Sequence, residues 1–245
     1  MDKTTHIYGT RAVIEALEAG KAIDKIFLQK GYQGAQIQEL QSLARKKGVR
    51  VSVVPSERLA RFRDRNHQGV IATISPVDIL DYQQLIDQVV AKSENPLLLV
   101  LDGVSDVRNL GAIIRTAACT GVDGVILPIS GSAPVTADTV KTSAGAVFSV
   151  PLAKTPHTRD AVYYLQSSGI QVIAASERAE QSIFETDLRA GTAIVMGSEG
   201  KGASPAVLKS VDLQARLPMK GSISSLNVSV ACGVFLYEVL RQRMA

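Results

Sequence analysis

Residues 217–243, LPMKGSISSLNVSVACGVFLYEVLRQR, join a polar loop to a long apolar segment. The loop is too rich in glycine and serine to hold a strand, whereas residues 226–240 predict a helix that ends in a basic turn. Ser224 or Ser225 is the expected N-cap, which would place Asn227 in the first helical turn. A first turn can present side chains and free backbone N–H groups to a ligand, although Ser and Asn can also serve only as caps.

The region that leads up to this stretch, from residue 97 onward, alternates short apolar runs with helical patterns. Apolar runs without polar alternation are typical of parallel strands that helices cover on both faces. The expected fold class is therefore α/β with a parallel sheet. The predicted strands are residues 97–101, 125–127, 149–152, 172–174, 193–196 and 213–217.

Polar or glycine-containing segments directly follow three of these strands. Asp102 follows the first strand, Gly197 the fifth and Pro218 the sixth. Because the carboxyl ends of parallel strands share one edge of the sheet, these segments should converge on one ligand crevice. The sequence lacks G-x-x-x-x-G-K-[ST], and no G-x-G-x-x-G follows a strand, which disfavours nucleotide hydrolysis and NAD binding.

Two further motifs belong to this edge. Residues 109–115, NLGAIIR, follow the first strand, and residues 195–202, VMGSEGKG, span the end of the fifth. Gly197, Gly200 and Gly202 would let the backbone approach a flat ligand closely, but a glycine-rich turn between strand and helix has the same composition. Each motif alone is weak, whereas three motifs that converge on one edge indicate a single site.

Together the three motifs resemble those of the SPOUT methyltransferases, in the SpoU (TrmH-like) branch. Residues 109–115 match the first motif of the branch, N-x-G-x-x-x-R, residues 197–202 match G-x-E-G-x-G of the second, and residues 217–243 match the third. The resemblance implies S-adenosyl-L-methionine as the cofactor and methyl transfer to the ribose 2′-hydroxyl of RNA. It also implies a deep trefoil knot near the C terminus, which ordinary topology rules would not predict.

The same resemblance implies which residues form the site. Methyl transfer needs a 2′-oxygen in line with the methyl group, removal of a proton and stabilisation of negative charge. Asn227 and Ser225 would hydrogen-bond the ribose and the methionine end, Arg115 would stabilise charge or bind a phosphate, and Glu199 would hold Arg115 or backbone N–H groups. The general base is left open, because a guanidinium rarely loses its proton. The candidate catalytic residues are Asn109, Arg115, Glu199, Ser225 and Asn227, and the candidate cofactor-binding residues are Gly197, Leu217, Met219 and Leu226.

Purely structural roles compete with these assignments. Arg115 could pair with Asp102 or Asp106, Glu199 could be an ordinary turn carboxylate, and Asn109 could cap the helix that it precedes. The agreement of the three motifs favours the functional interpretation.

Residues 1–75 predict a small separate α/β domain. Helical patterns cover residues 11–19 and 35–47, and strands are expected near residues 26–28, 51–54 and 70–74. The stretches Ile7-Tyr8-Gly9 and His67-Gln68-Gly69 resemble the RNA substrate-binding domain, similar to ribosomal protein L30e, that precedes many SpoU catalytic domains. Residues 76–96 are the expected linker, with a helix over 82–92, and residues 97–245 are the expected methyltransferase domain.

The basic charge of the chain is concentrated in this N-terminal domain. Residues 1–74 hold 13 Lys and Arg against 7 Asp and Glu, while residues 75–245 hold 14 against 16. Such a distribution is expected of a surface that meets RNA phosphates, although a solvated helix end explains the cluster at residues 45–50 equally well. The other basic residues of this region include Arg58, Arg61, Arg63 and Arg65.

Composition sets the remaining bounds. The chain has 245 residues, 46% of them apolar, and no apolar run long enough for a membrane helix or a signal peptide, so we expect a cytoplasmic protein that does not enter a membrane. Cys119 and Cys232 lie in predicted helices without metal-ligand spacing. We expect both to be small buried residues and expect no metal site.

The sequence therefore predicts an RNA ribose 2′-O-methyltransferase, most similar to the bacterial members of the branch that methylate a guanosine of 23S ribosomal RNA. A transfer-RNA methyltransferase of the same branch and a catalytically silent RNA-binding or ribosome-assembly protein are the alternatives. Residues 226–240 are apolar over more than one helix face, which predicts a homodimer through this helix. Burial of the helix on both sides within one subunit is the competing interpretation.

Overall fold

The computed structural model describes residues 6–62, 64–221 and 225–244. The chain divides into two compact units. The N-terminal unit extends to Asp78 and includes the short segment Pro134–Ala137. The C-terminal unit consists of Ile79–Ala133 and Asp138–Ala245. It is called the catalytic unit below, because the resemblance implies that methyl transfer takes place there.

A four-stranded sheet with two main helices forms the N-terminal unit, and the sequence predicted both helices and three of the four strands. The strand order is β1-β4-β2-β3, in which β2 and β3 are parallel and the other pairs are antiparallel. Strand β1 was not predicted, because its three residues are too few to show an apolar pattern. Buried aliphatic side chains of the helices and strands form the core of this unit. The elements are β1 His6–Tyr8, α1 Thr10–Glu18, β2 Ile23–Gln29, α2 Ala35–Lys46, β3 Arg50–Val54, α3 Ser56–Leu59 and β4 Val70–Ile74.

The catalytic unit contains a seven-stranded sheet, and all six pairs of neighbouring strands are parallel. This confirms the predicted α/β class. The strand order is β11-β9-β10-β6-β7-β8-β5, which places β6 and β10 side by side near the centre. The strands are β5 Ile79–Asp81, β6 Leu97–Asp102, β7 Gly124–Pro128, β8 Leu152–Thr155, β9 Gln171–Ala175, β10 Thr192–Gly197 and β11 Leu213–Ala215. The helices are α4 Tyr82–Val90, α5 Val107–Thr120, α6 Ala137–Thr142, α7 Thr158–Ser167, α8 Pro205–Leu208 and α9 Val228–Met244.

Both faces of this sheet are buried, as the apolar strands predicted. In β6, Leu98 and Val100 belong to a core that α4 and α7 complete. Leu97, Leu99 and Leu101 point to the opposite face, since side chains alternate along a strand, and they are at most 3% exposed. On the α5 side of the unit, α9 packs against α5 and β10.

The expected linker is wrong. Ile79–Asp81 forms the edge strand β5, which pairs with β8, and α4 buries Leu85 and Ile86 in the core of the catalytic unit. Asp81 caps α4 by accepting a 2.9 Å hydrogen bond from the backbone N–H of Gln83. The sequence suggested a connector for two reasons. The strand is only three residues long, and α4 is apolar on one face only, so that polar residues dominate its sequence.

Three smaller predictions also need correction. The strand expected at residues 149–152 lies at Leu152–Thr155, because a short 3₁₀ helix, Ala146–Phe148, and a turn occupy the preceding residues. The C-terminal helix runs over Val228–Met244 and therefore starts and ends later than predicted. Cys232 is buried, but Cys119 is exposed on α5.

The last turn of α9 is fixed to the starts of the two central strands. The guanidinium of Arg243 donates hydrogen bonds of 2.6–3.3 Å to the backbone carbonyls of Asn95, Pro96, Leu188 and Ala190. Asn95 and Pro96 directly precede β6, and the other two precede β10. Burial lowers the pKa of Arg243 from its ordinary value. None of the helices within the described ranges combines the length and the apolar content that crossing a membrane requires.

Candidate active site

The site is built at the carboxyl edge of the central strands β6 and β10. Asp102, the last residue of β6, accepts a 2.8 Å hydrogen bond from the Thr158 hydroxyl and a 2.7 Å hydrogen bond from the backbone N–H of Ser204. The carboxylate therefore ties the start of α7 to the segment after the second motif. The two carboxylate oxygens accept from Thr158 and Ser204. The alternative that Asp102 forms an ion pair with Arg115 is therefore not observed.

Asp106, and not Asn109, caps helix α5. Its Oδ1 accepts hydrogen bonds from the backbone N–H groups of Arg108 at 2.8 Å and Asn109 at 3.1 Å. The hydrogen bond from the Asn109 backbone is the main cause that lowers the pKa of Asp106. Because the cap is already supplied, the Asn109 side chain is available for contacts outside its own helix.

The second motif forms a tight turn after β10. The backbones of Ser198 and Gly202 exchange two hydrogen bonds of 2.9–3.0 Å, and Gly200 and Gly202 have φ angles of 78° and 68°. A Cβ atom on Gly197 would overlap the backbone of Gly202 and Ala203. The turn itself therefore requires all three glycines. This agrees with the alternative stated above, a glycine-rich turn between strand and helix. The turn carries Glu199, whose side chain is exposed.

The three motifs meet through side chains at this point. Asn109 Nδ2 donates a 2.7 Å hydrogen bond to Glu199 Oε1, and Asn227 Nδ2 donates a 2.9 Å hydrogen bond to the same oxygen. Asn227 Nδ2 also lies 3.1 Å from Asn109 Oδ1, which accepts from it. Asn109, Glu199 and Asn227, here called the Asn–Glu–Asn cluster, therefore join the end of β10 to the starts of α5 and α9.

Asn227 has a second function as the N-cap of α9. Its Oδ1 accepts hydrogen bonds from the backbone N–H of Ser229 at 2.9 Å and from the Ser229 hydroxyl at 2.6 Å, and its carbonyl accepts from Ala231 N at 3.0 Å. The prediction that Ser224 or Ser225 caps this helix is wrong for Ser225, which lies in the loop and is exposed; Ser224 lies outside the described residues. One side chain therefore both starts α9 and contacts Glu199.

Arg115 forms no hydrogen bond with the Asn–Glu–Asn cluster. It is exposed on α5, six residues beyond Asn109, or about 9 Å along the helix axis. Within the part of the chain that the structure describes, no carboxylate forms an ion pair with it. Glu199 is hydrogen-bonded by the two asparagines, so the expectation that Glu199 holds Arg115 is not met.

The candidate cofactor-binding residues differ in exposure. Gly197 is buried at the end of β10, and Leu217 is half-buried. Met219 and Leu226 are large apolar side chains that are 41% and 43% exposed, and Leu226 directly precedes Asn227. Exposed apolar surface beside a few convergent polar groups fits a ligand such as S-adenosyl-L-methionine, which has an apolar thioether part, an adenine ring and charged ends.

Sequence reasoning missed two residues that shape the site. Ser229 bonds the Asn227 side chain, and Asp106 frees Asn109 from capping. For both residues the signal was available. Asp lies three positions before the first-motif asparagine, and Ser lies two positions after Asn227, spacings that are typical of side-chain caps.

Comparison with known proteins finds matches to both units of the chain. Residues 96–237 match the SpoU rRNA Methylase family, and residues 6–80 match the family described as RNA 2′-O ribose methyltransferase substrate binding. The 23S rRNA (guanosine-2′-O-)-methyltransferase RlmB of Pseudomonas aeruginosa is 39% identical, and the alignment covers 99% of this chain and 98% of that protein.

Two solved structures show the same fold. The SpoU methyltransferase AviRb from Streptomyces viridochromogenes, in complex with AdoMet, is 24% identical with a TM-score of 0.63 over 98% of this chain and 90% of that one. The AdoMet-bound rRNA methyltransferase from Sinorhizobium meliloti is 26% identical with a TM-score of 0.61 over 96% and 86%. The three motifs, their meeting in one cluster and these matches lead to one conclusion: the chain belongs to the SpoU rRNA methylase family.

Proposed function

We propose that this protein transfers the methyl group of S-adenosyl-L-methionine to the ribose 2′-hydroxyl of a guanosine in 23S ribosomal RNA. The enzyme class and the cofactor follow from family membership. The observation that carries the assignment is the Asn–Glu–Asn cluster, since it unites three separate motifs at the carboxyl edge of a parallel sheet. The guanosine and the 23S RNA come from the relative in Pseudomonas aeruginosa, which is similar over nearly its whole length.

The cofactor supplies an activated methyl group, so the protein has to bind, orient and stabilise charge. We assign the apolar parts of the cofactor to Leu217, Met219 and Leu226, and its contact with the sheet edge to the backbone at Gly197. Glu199 is an acceptor that is already held in position by two amides through Oε1. Its orientation is therefore set before a ligand binds, which avoids an entropy cost on binding.

The RNA would be held by hydrogen bonds and charge. Ser225 is exposed beside Asn227 and can donate or accept toward a ribose hydroxyl. Arg115 is exposed and has no ion-pair partner among the described residues, so its charge is available to a phosphate or to the developing oxyanion. The described basic residues of the N-terminal unit would bind further phosphates, while Arg63 and the side chain of Arg61 lie outside the description.

The proposal includes a homodimer formed through α9. This helix buries Phe235, Leu236 and Val239 within its own unit. Val230 and Tyr237, seven residues apart and hence on one face, are each 53% exposed, and Met244 continues this stripe at 78%. The other apolar side chains of this helix are buried or half-buried. An exposed apolar stripe beside them supports contact with a second copy.

Two further points of the proposal rest on family resemblance. The first is a trefoil knot in the C-terminal part of the chain; the insertion of β10 between β6 and β9, followed by the return of α9 across α5, supports it. The second is activity in the cytoplasm, where ribosomal RNA is processed.

A methylation assay with three substrates tests the function. Purified protein and radiolabelled S-adenosyl-L-methionine are incubated with unmodified transcripts of 23S RNA, 16S RNA and a transfer-RNA pool, and the modified position is mapped by primer extension at limiting nucleotide concentration. We expect one 2′-O-methylated guanosine in 23S RNA. Label in transfer RNA alone would support the transfer-RNA alternative, and binding of RNA without any methyl transfer would support the catalytically silent one.

A further inference from the structure

The N-terminal unit contains a cavity of about 250 Å³ at the end of β2, and this cavity is widely open to solvent. This volume is the share of about eight water molecules in the liquid, so the cavity is much larger than a site for one ordered water. It is slightly smaller than the pockets that hold drug-sized ligands, which matches a single planar ring system. The cavity is lined by Gln29, Ser56, Glu57, Leu59, Ala60 and His67.

A hydrogen bond from the neighbouring backbone fixes the His67 ring in the cavity lining. His67 Nδ1 accepts a 3.0 Å hydrogen bond from the Gly69 N–H, so the neutral ring carries its proton on Nε2, where it is a donor. Gln68, between them, has a φ angle of 44°, which is uncommon for a residue with a side chain. Gly69 O in turn accepts a 2.8 Å hydrogen bond from Gln29 N. These contacts hold two lining residues in a defined relative position.

Polar groups of the lining lack partners within the described part of the chain. The side chains of Gln29, Ser56 and Glu57 form no hydrogen bond or ion pair there, although Gln29 is half-buried. Leu59, in contrast, is 2% exposed and gives the cavity an apolar surface. Apolar surface combined with free amide, hydroxyl and carboxylate groups is the chemistry that proteins use to bind the face and the edge of an unstacked base.

An aromatic ring lies at the same edge of the sheet. Tyr32 N donates a 3.3 Å hydrogen bond to Gln29 O, and the Tyr32 ring packs so closely on Gly69 that a Cβ atom there would lie 2.8 Å from it. The residue nevertheless stays 43% exposed. A fixed and partly exposed ring next to a base-sized cavity offers a surface on which a neighbouring base can stack.

Three basic residues are close in sequence to the residues that line the cavity. Lys30 follows Gln29, Arg58 follows Glu57, and Arg65 precedes His67 by two positions. All three are exposed, and none of them has an ion-pair partner among the residues that the structure describes. They are available to the phosphates on either side of a bound nucleotide.

We propose that this cavity receives one unpaired nucleotide of the RNA substrate, with its base inside the cavity and the adjacent base on Tyr32. The inference rests on the proposed function for the identity of the ligand as RNA, and it adds a second recognition point far in sequence from the methylation motifs. Glu57, which can only accept hydrogen bonds when ionised, favours a base that presents amino or imino donors. Gln29 and His67 Nε2 supply donors for carbonyl or ring-nitrogen acceptors of the same base.

The test uses the full chain and measures RNA binding directly. Glu57→Ala and Gln29→Ala are compared with Glu39→Ala and Gln41→Ala, which change the same residue types at exposed positions of α2 outside the cavity. Binding to the 23S transcript is measured by filter retention, and S-adenosyl-L-methionine binding is measured by calorimetry. We expect the cavity variants to bind RNA about tenfold more weakly, as the loss of hydrogen bonds to a charged or amide group implies, and to bind the cofactor as the wild type does.

A second measurement separates base insertion from general affinity. A fluorescent hexaribonucleotide of adenosine and an abasic hexamer of equal charge are bound to each variant. The wild type and the α2 controls should prefer the oligonucleotide with bases, and Glu57→Ala and Tyr32→Ala should lose that preference.

The cavity assignment is overturned if the cavity variants bind the 23S transcript as the α2 controls do, or if the wild type binds both hexamers equally. Either result leaves methyl transfer by the wild type intact. A wild-type protein that binds RNA through the cavity but methylates nothing would instead refute the proposed function.

Discussion

Asn109 and Glu199 are 90 residues apart in the chain, yet Asn109 Nδ2 lies 2.7 Å from Glu199 Oε1 and donates a hydrogen bond to it. Asn227 shares the same oxygen, so the three side chains form one cooperative group. Substitutions in such a group are not additive. We therefore expect a double substitution within the Asn–Glu–Asn cluster to reduce activity little more than the more severe of its two single substitutions.

The two functions of Asn227 can be separated by Asn227→Ser. Serine is as good an N-cap as asparagine, so α9 should keep its start, and the free energy of unfolding should change by less than about 1 kcal/mol. The amide donor to Glu199 is lost, and kcat/KM for RNA methylation should fall about 10- to 100-fold. Urea unfolding and steady-state kinetics check both values. If stability and activity fell together, the cap and not the Glu199 contact would be the important function.

Arg115→Ala should reduce methyl transfer about a hundredfold, because it removes the charge that we assign to an RNA phosphate or to the developing oxyanion. Since Arg115 is exposed and forms no ion pair with a described residue, stability should change by less than about 0.5 kcal/mol. Arg115→Lys should recover part of the activity. The control is Arg108→Ala, an exposed arginine on the same helix that pairs with Asp106. Equal losses of methyl-transfer activity in both variants would contradict a specific function of Arg115.

The boundary of the catalytic unit can be tested by truncation. A fragment of residues 79–245 keeps β5 and α4 and should fold and bind S-adenosyl-L-methionine, with RNA affinity reduced by loss of the basic N-terminal unit. A fragment that begins at residue 95 loses Leu85, Ile86 and Val89 from the core. At about 1.5–3 kcal/mol for each side chain, this loss is comparable to the whole stability of a domain, about 5–15 kcal/mol. Circular dichroism should show that the shorter fragment is unfolded.

The dimer is tested by Tyr237→Glu. A charge in the exposed stripe of α9 would be buried in the proposed interface, so light scattering should change from twice the chain mass of 26.1 kDa to one chain mass. Tyr163→Glu on α7 is the matched control, because both tyrosines are helical and 53% exposed. A wild type that is already monomeric, or a Tyr163→Glu variant that dissociates equally, would contradict the proposed interface.

Burial of Cys232 predicts how stability depends on alkaline pH. Desolvation raises the pKa of this thiol from 9.0 to about 12. Between these values the unfolded chain releases the proton and the folded chain retains it, so the unfolded state is favoured as pH rises, by up to about 1.4 kcal/mol per pH unit. Stability should therefore fall above about pH 9, and Cys232→Ala should show a smaller slope than Cys119→Ala. Urea titrations from pH 8 to pH 11 measure the difference, and equal slopes would contradict the prediction.

Periodicity was sufficient for the sheet and for most helices because β6, β7, β9 and β10 are buried on both faces and consist of unbroken apolar runs. It failed at β1 and β5, each three residues long, since such short strands are defined by a partner elsewhere in the chain. The membership of Asn109, Glu199 and Asn227 in one site followed from the order of the motifs at strand ends.

Finer details of the site were not predictable from pattern. Either Ser225 or Asn227 is a good N-cap by composition, and the choice depends on where α9 leaves the loop. Arg115 and backbone N–H groups were the expected partners of Glu199, whereas the donors are the side-chain amides of Asn109 and Asn227. Charge complementarity is visible in a sequence, but the direction of a side chain is not. The N-terminal cavity has no sequence signature, since its lining comes from three separate segments.

The four carbonyls that Arg243 contacts have a consequence for the order of synthesis. Residues that precede β6 and β10 are made long before α9, and their carbonyls meet the guanidinium only when that last helix has left the ribosome. The N-terminal unit can fold during translation, as domains generally do. The catalytic unit gains these contacts only once α9 has been synthesised, so a nascent chain should be able to hold RNA before it is able to modify it.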